Sequence, residues 1–323
     1  MFCNSTITDL FLFVFTQLIL HYPKLTKLKE IIKIIRFFNI KRYINWKFRE
    51  EKNNFENYLS LALMIKNESK YIQEWIEYHL LVGVDKFYIY DNESTDDLKN
   101  ILKVYIDQGI VEYIYFPGKH RQIYMCNDAI NRAEKKSKWL ALIDTDEFIV
   151  PISEDSIPKI LKEFEYAPGV EVNWLLYGSS GELKQREGLV IERFKNHSLP
   201  SFEVNKNVKT ICNPRTVLQA SVHVHKYFGH LKSVNTDHKE NDIMFLEREA
   251  CFKNIRINHY FTRSFEEYMN KRKSGVATHQ NPNYRNEKTF IIQDKNDIFD
   301  PIMDKYIPII KKNILERNKK IGK

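Results

Sequence analysis

Between Tyr58 and Pro151 the chain keeps switching between two hydrophobic periods. The short apolar runs YLSLALMIK, DKFYIYD, VEYIYF and KWLALIDTDEFIVP read as buried strands. The stretches between them carry apolar residues at helical spacing. In NESKYIQEWIEYHLLVG one face holds Ile72, Trp75, Ile76, His79 and Leu80, Asn67 stands at the N-cap position, and Gly83 follows the last turn. In STDDLKNILKVYIDQG the pair Ser94 and Asp97 predicts a capping box, and Gly109 ends the helix. A third helix is expected over about residues 121–136. Four strands alternating with three helices through short links form a doubly wound parallel sheet, an α/β fold. Ligands of such sheets bind outside the carboxyl ends of the strands. The sequence delivers Lys66, Asn67 and Glu68 to that edge, then Asp91, then Asp144 and Asp146.

After Pro151 the alternation stops. A short helix is expected over 156–165, and VEVNWLLYGSSGE, LVIERF, KTICNPRTVLQASVHVHKY and RINHYF read as strands and loops without crossover helices. SFEEYMNKRKSG and the basic tail read as helices. The second half is therefore expected to be mixed α+β. There is no internal repeat and no low-complexity linker.

Charge divides the chain at a different place. The net charge is +8, but residues 24–52 alone carry ten Lys or Arg against three Glu. The body left over is close to neutral. A nucleic-acid-binding domain carries its own basic face, so no nucleic-acid partner is expected. In residues 24–38 the apolar Leu25, Leu28, Ile31, Ile32, Ile35 and Phe38 recur at helical spacing among lysines, the pattern of a helix lying on an anionic membrane surface. A helix packed on the domain with a solvated face is the alternative. The run LFLFVFTQLIL before it is shorter than the about 20 residues a membrane span needs, and no signal-peptide pattern surrounds it. Residues 1–52 are thus expected to be a basic amphipathic arm holding a cytoplasmic protein at the inner membrane face. The cysteines at 3, 126, 212 and 251 lack metal-ligand spacing and are expected to be reduced.

Carboxylates at a strand end are costly to desolvate unless something positive meets them. Asp144 and Asp146 stand at i and i+2, so along an extended chain both reach one cation. An oxygen-rich set suits Mg²⁺ or Mn²⁺, which keeps open positions for phosphate oxygens. A strand-terminal turn is the plain alternative. A phosphatase of the haloacid dehalogenase type also uses Asp-x-Asp after a strand, but near the start of its domain and with Thr or Val where this chain has Phe148.

The motifs NESKYIQEWIEYHLLVGVDKFYIYDNESTDD, LIDTDEFI, NWLLYGSSG, ERF, K-x-I-x-x-P and RINHYF occur in that order over roughly residues 58–280. Together they resemble the GT-A glycosyltransferases, and more narrowly glycosyltransferase family 92 and its bacterial family 2-like relatives. The resemblance implies a GT-A, Rossmann-like nucleotide-binding half over 53–151 and an acceptor half over 152–323. It also implies a nucleotide-sugar donor, a divalent metal and inversion at the anomeric carbon. Carried onto this chain, Asp91 would hold the uracil or ribose of a UDP-sugar, and Asp144 and Asp146 the metal and diphosphate. His259 would be the third metal ligand, and Lys209 and Lys271 would meet diphosphate oxygens. Ser274 departs from the family's Lys-x-x-Arg-Gly pattern, which leaves that basic contact open among Lys271, Arg272 and Lys273.

An inverting transferase needs one base to take the acceptor proton, because the metal supports the leaving group. Glu182, in a loop whose glycines give room for a sugar, is the candidate. His223, His225 and His230 are candidates for acceptor contact or metal ligation, Trp174 and Tyr177 for stacking on a sugar, and Lys119, His120 and Arg121 for diphosphate contact. The expected activity is sugar transfer to a glycan or lipid-linked saccharide. A phosphatase or nucleotidyltransferase, or a membrane-surface adaptor without enzymatic activity, are the rival readings.

Overall fold

The computed structural model describes residues 54–240, 249–273 and 286–321. The expected arm over 1–52 lies outside the described residues, as do Cys3 and Ser274. The strands are β1 (Asn57–Ile65), β2 (Lys86–Asp91), β3 (Val111–Tyr115), β4 (Ser137–Leu142), β5 (Glu147–Pro151), β6 (Gly169–Leu176), β7 (Asn196–His197), β8 (Val208–Cys212), β9 (Val217–Gln219), β10 (Lys226–Tyr227), β11 (Val234–Asn235), β12 (Ile255–His259) and β13 (Ile298–Phe299). The helices are α1 (Ser69–Leu81), α2 (Leu98–Asp107), α3 (Gln122–Ala133), α4 (Ile157–Leu161), α5 (Val190–Arg193), α6 (Phe265–Lys273), α7 (Glu287–Gln293) and α8 (Ile307–Ile321).

The expected parallel half is present. β3, β2, β1 and β4 lie side by side and parallel, with Ser60 opposite Lys86 and Leu61 opposite Ala141. Alternation along each strand separates two cores. Leu59, Leu61, Leu63, Ile65, Phe87 and Ile89 pack with Ile72, Trp75 and Ile76 of α1 and Leu98, Leu102 and Tyr105 of α2. Ala62, Tyr88, Tyr90, Leu140 and Leu142 face the other way, onto Met125, Cys126, Ala129 and Ile130 of α3. Helices cover both faces, as a doubly wound sheet requires.

The capping expectations fail in detail. Neither α1 nor α2 has a side-chain N-cap bond. Asn67 adopts a positive φ and its Oδ1 accepts instead from the Thr95 amide at 2.7 Å, tying the end of β1 to the turn after β2. LVIERF, expected as strand or loop, forms the short helix α5.

KWLALIDTDEFIVP is two strands rather than one. β4 stops at Leu142, the Glu147 amide donates to the Asp144 carbonyl across a turn at 3.1 Å, and β5 begins at Glu147. β5 then sits at the far edge of the order β3-β2-β1-β4-β8-β6-β12-β5. Four strand spacings come to about 19 Å, whereas five residues of extended chain reach about 17 Å. The sheet must therefore curl to bring β5 back beside β4. The acidic turn is the stitch across that curl.

The strand directions decide where the site lies. β8 is antiparallel to both β4 and β6, and β12 is parallel to β6. The carboxyl ends of β1, β2, β4, β6 and β12 and the amino end of β8 thus share one edge. Among the described cysteines, Cys126, Cys212 and Cys251 are free and buried, as expected.

Candidate active site

A cleft of about 660 Å³ opens along that edge. Its floor is the turn Asp144-Thr145-Asp146-Glu147. Trp75 of α1, fully buried, donates from Nε1 to the carbonyls of Glu147 at 2.9 Å and Asp144 at 3.1 Å. A core aromatic therefore fixes the turn from below.

Lysines meet the two aspartates. Lys209, at the amino end of β8, places Nζ 3.0 Å from Asp144 Oδ2 and 3.3 Å from Glu147 Oε2. Lys271 of α6 lies 2.6 Å from Asp146 Oδ2 and 3.0 Å from Glu68 Oε1. Burial works to raise the Asp144 pKa, but the Lys209 ammonium outweighs it and holds the carboxyl below the ordinary range. Glu147 has the opposite balance. It is fully buried, its Oε1 has no partner, and burial pushes it up to about 8 despite Lys209. Asp144 and Glu147, carboxylates of one turn, are thus shifted in opposite directions because they differ in company.

His259, the last residue of β12, brings Nε2 to 4.0 Å from Asp146 Oδ1, and its Nδ1 is buried without a partner. Burial drops its pKa to about 4, so the ring is neutral at physiological pH. Two carboxylates and a neutral imidazole are the right donors for a hard divalent cation. Among the described residues, however, no three such groups already converge on one point.

Of the residues expected from sequence, the cleft gathers Lys66, Asn67, Glu68, Asp144, Asp146, Lys209, His259 and Lys271. Trp174, His223, Lys119 and His120 also line it. Of Lys271 and Arg272, Lys271 does so, while the Lys273 side chain lies outside the described residues.

Other expected residues are elsewhere. Asp91 is buried behind the rim, where Oδ2 accepts from the Tyr113 hydroxyl at 2.6 Å and Oδ1 from the Ser94 amide at 2.8 Å; its neighbour Asn92 reaches the cleft. Tyr177 is fully buried, with its hydroxyl on Asp300. His225 accepts from the Ser221 amide, and Arg121 stacks on Phe116 and Tyr124.

Glu182 does not line the cleft. Its Oε1 accepts from Arg186 Nε at 2.6 Å and its Oε2 from Arg193 Nη2 at 2.8 Å. Both oxygens are thus engaged by guanidiniums outside the cleft, so Glu182 does not stand where the base expected of it would. The loop's glycines also do other work. A Cβ at Gly178 would collide with the Lys295 carbonyl, so the bare backbone serves close packing there.

The cleft also holds residues that no motif announced. Tyr71, Gln185, Arg263, Glu267 and Asn270 line it. Glu267 is saturated by Arg193, Tyr71 and Ser264, which outweigh burial and hold it down at about 2.

Comparison with known proteins adds a family. The family model for glycosyltransferase family 92 matches residues 58–290. A glycosyltransferase family 92 protein of Oryza sativa subsp. japonica is 24% identical over 227 residues, covering 68% of this chain and 36% of that protein. One from Ricinus communis is 25% identical over 229 residues, covering 68% and 38%. The chain therefore spans little more than a third of the length of these curated relatives. Among solved structures, S. aureus TarS 1–349 in complex with UDP-GlcNAc shows a TM-score of 0.34 at 13% identity, covering 49% of this chain and 45% of that one. Glucosyl-3-phosphoglycerate synthase from Mycobacterium tuberculosis, in complex with Mn2+, UDP and glucosyl-3-phosphoglycerate, shows 0.25 at 18% identity, covering 36% and 44%.

Proposed function

Because the chain belongs to glycosyltransferase family 92, we propose that it is an inverting, metal-dependent glycosyltransferase that moves a sugar from a nucleotide donor, UDP-linked, to a glycan or lipid-linked saccharide. One observation carries the reading beyond membership. The cleft at the carboxyl edge is floored by two aspartates that are already matched to cations, Asp144 to Lys209 and Asp146 to Lys271.

Mn²⁺ or Mg²⁺ fits this donor set in kind, held by Asp144, Asp146 and the neutral His259. Bound there, it would offset charge developing on a departing diphosphate. The chain's own residues supply the rest. Lys209, buried and held cationic by Asp144 against the pull of burial, keeps a fixed positive charge under the diphosphate. Lys271 is shared between Asp146 and Glu68, so it has only to turn to reach a phosphate oxygen. Lys66, Lys70 and Lys119 at the cleft draw an anionic substrate in. Trp174, whose indole Nε1 has no partner and whose ring packs 4.2 Å from that of His259, offers a sugar both a face and a donor. A phosphatase is disfavoured by the family.

Calorimetry of UDP with and without Mn²⁺, on wild type and Asp146→Asn, tests the proposal. Wild type should bind UDP at least tenfold more tightly with the metal, and the variant should lose that gain. Metal-independent binding of equal strength in both proteins would refute the metal assignment. No binding of any nucleoside diphosphate would refute the donor class.

A further inference from the structure

Arg263 follows β12 in a Thr-Arg-Ser stretch that fits no motif. Only 4% of its surface is exposed, and that surface borders the cleft. Its backbone takes φ 47, a left-handed conformation that a long side chain adopts only where the surroundings impose it. The guanidinium lies over the Tyr71 ring at 3.7 Å, and Nη1 is 3.8 Å from Glu68 Oε1. The remaining nitrogens, Nε and Nη2, are buried and have no hydrogen-bond partner among the described residues.

Those two nitrogens form one side of the guanidinium fork, whose parallel N–H groups match the two oxygens of an oxyanion. Leaving them unpaired is costly, and buried polar groups of this kind call for an explanation. Among the described residues no carboxylate is left to accept from them. Glu68 reaches only Nη1, and both oxygens of Glu267 are taken by Arg193, Tyr71 and Ser264. Lys271 meets the same Glu68 oxygen, so that carboxylate positions two cations at one end of the cleft.

We infer that the Nε/Nη2 side of Arg263 is a bidentate seat for a phosphate of the nucleotide diphosphate, with Lys271 as its neighbour. The inference rests on the nucleotide-sugar reading above and adds a binding residue that neither the motifs nor the family resemblance supplied.

Titration of the full chain with UDP and with uridine, both in Mn²⁺, separates the possibilities in wild type, Arg263→Gln and Arg263→Lys. The Gln variant should bind UDP about ten- to a hundredfold more weakly, the loss expected for a charge-assisted pair. Its uridine affinity should stay at the wild-type value, and Lys should recover part of the loss. If Arg263 only props α6 against α1, the Gln variant will melt earlier and lose UDP and uridine affinity alike, which overturns the inference. Unchanged UDP affinity in a folded Gln variant overturns it too. Failure of wild type to bind any nucleoside diphosphate removes the donor reading and this inference together, and that result is distinct from a loss confined to the variant.

Discussion

The four acidic residues Asp144, Asp146, Glu147 and Glu182 show how far partners, rather than residue type, set chemistry. The first two were legible in the sequence because an acidic pair ending an apolar run is a local pattern. Lys209, Lys271 and His259 were legible only through the family resemblance, since each comes from a distant strand or helix. The ion pairs of Glu182 were not legible because its partners cannot be seen locally. Arg193 is almost fully buried and joins Glu182 to Glu267, so Glu182 belongs to a chain of ion pairs beside the cleft. Arg263 escaped notice for the same reason, as nothing in Thr-Arg-Ser says that its nitrogens will be buried. Replacing Glu182 by Gln should therefore lower stability by about 1–2 kcal/mol, because Arg193 exchanges one of its two carboxylate partners for a neutral amide. The turnover number should fall less than tenfold. Denaturant unfolding and steady-state kinetics on one preparation check this, and a loss above a hundredfold with unchanged stability would restore Glu182 as the base.

At the scale of elements, the alternation over residues 58–142 gave the parallel half correctly because each strand and helix is a local period. The break at residues 143–146 was not legible. It depends on β5 pairing with β12, more than a hundred residues later in the chain, and on the curl that this pairing imposes. The caps were misplaced on similar grounds, tertiary contacts having claimed the polar side chains. Glu74 of α1 is a clear case. Its Oε2 and Oε1 accept from the amides of Val190 at 2.8 Å and Ile191 at 2.9 Å, so a buried carboxylate of one helix caps the start of α5. Burial raises its pKa from 4.5 to about 7 even against those two bonds. Below about pH 4.5 the group is neutral whether the chain is folded or unfolded. Between there and about 7, the unfolded chain ionises while the folded one stays protonated, so stability falls as pH rises and levels off above 7. The full effect is of order 3 kcal/mol. Glu74→Gln should remove that part of the decline between pH 5 and 8 in urea titrations, and an unaltered pH profile would show that Glu74 ionises freely in the fold.

At the scale of the whole molecule, the charge is spread unevenly along the chain. Residues 54–323 form a compact unit with its own two-sided core, and the cleft lies wholly within it. Among the described residues no helix is long and apolar enough to cross a membrane. Most of the +8 charge instead sits in residues 24–52. A saccharide carried on lipid is confined to a surface, and a basic stretch with helically spaced apolar residues brings an enzyme to that surface without contributing to its site. Lysines near an anionic bilayer contribute about 1 kcal/mol each. Changing Lys24, Lys27, Lys29 and Lys33 together to Gln in the full chain should weaken binding to phosphatidylglycerol vesicles by about a hundredfold or more, and 0.5 M salt should weaken wild type in the same direction. UDP affinity in solution should not change, because the described lining of the cleft comes from residues 64–271. Co-sedimentation and calorimetry read the two quantities independently. Vesicle binding that survives both the four substitutions and the salt would assign the attachment to the apolar run before residue 24, or to the domain itself, rather than to the basic arm.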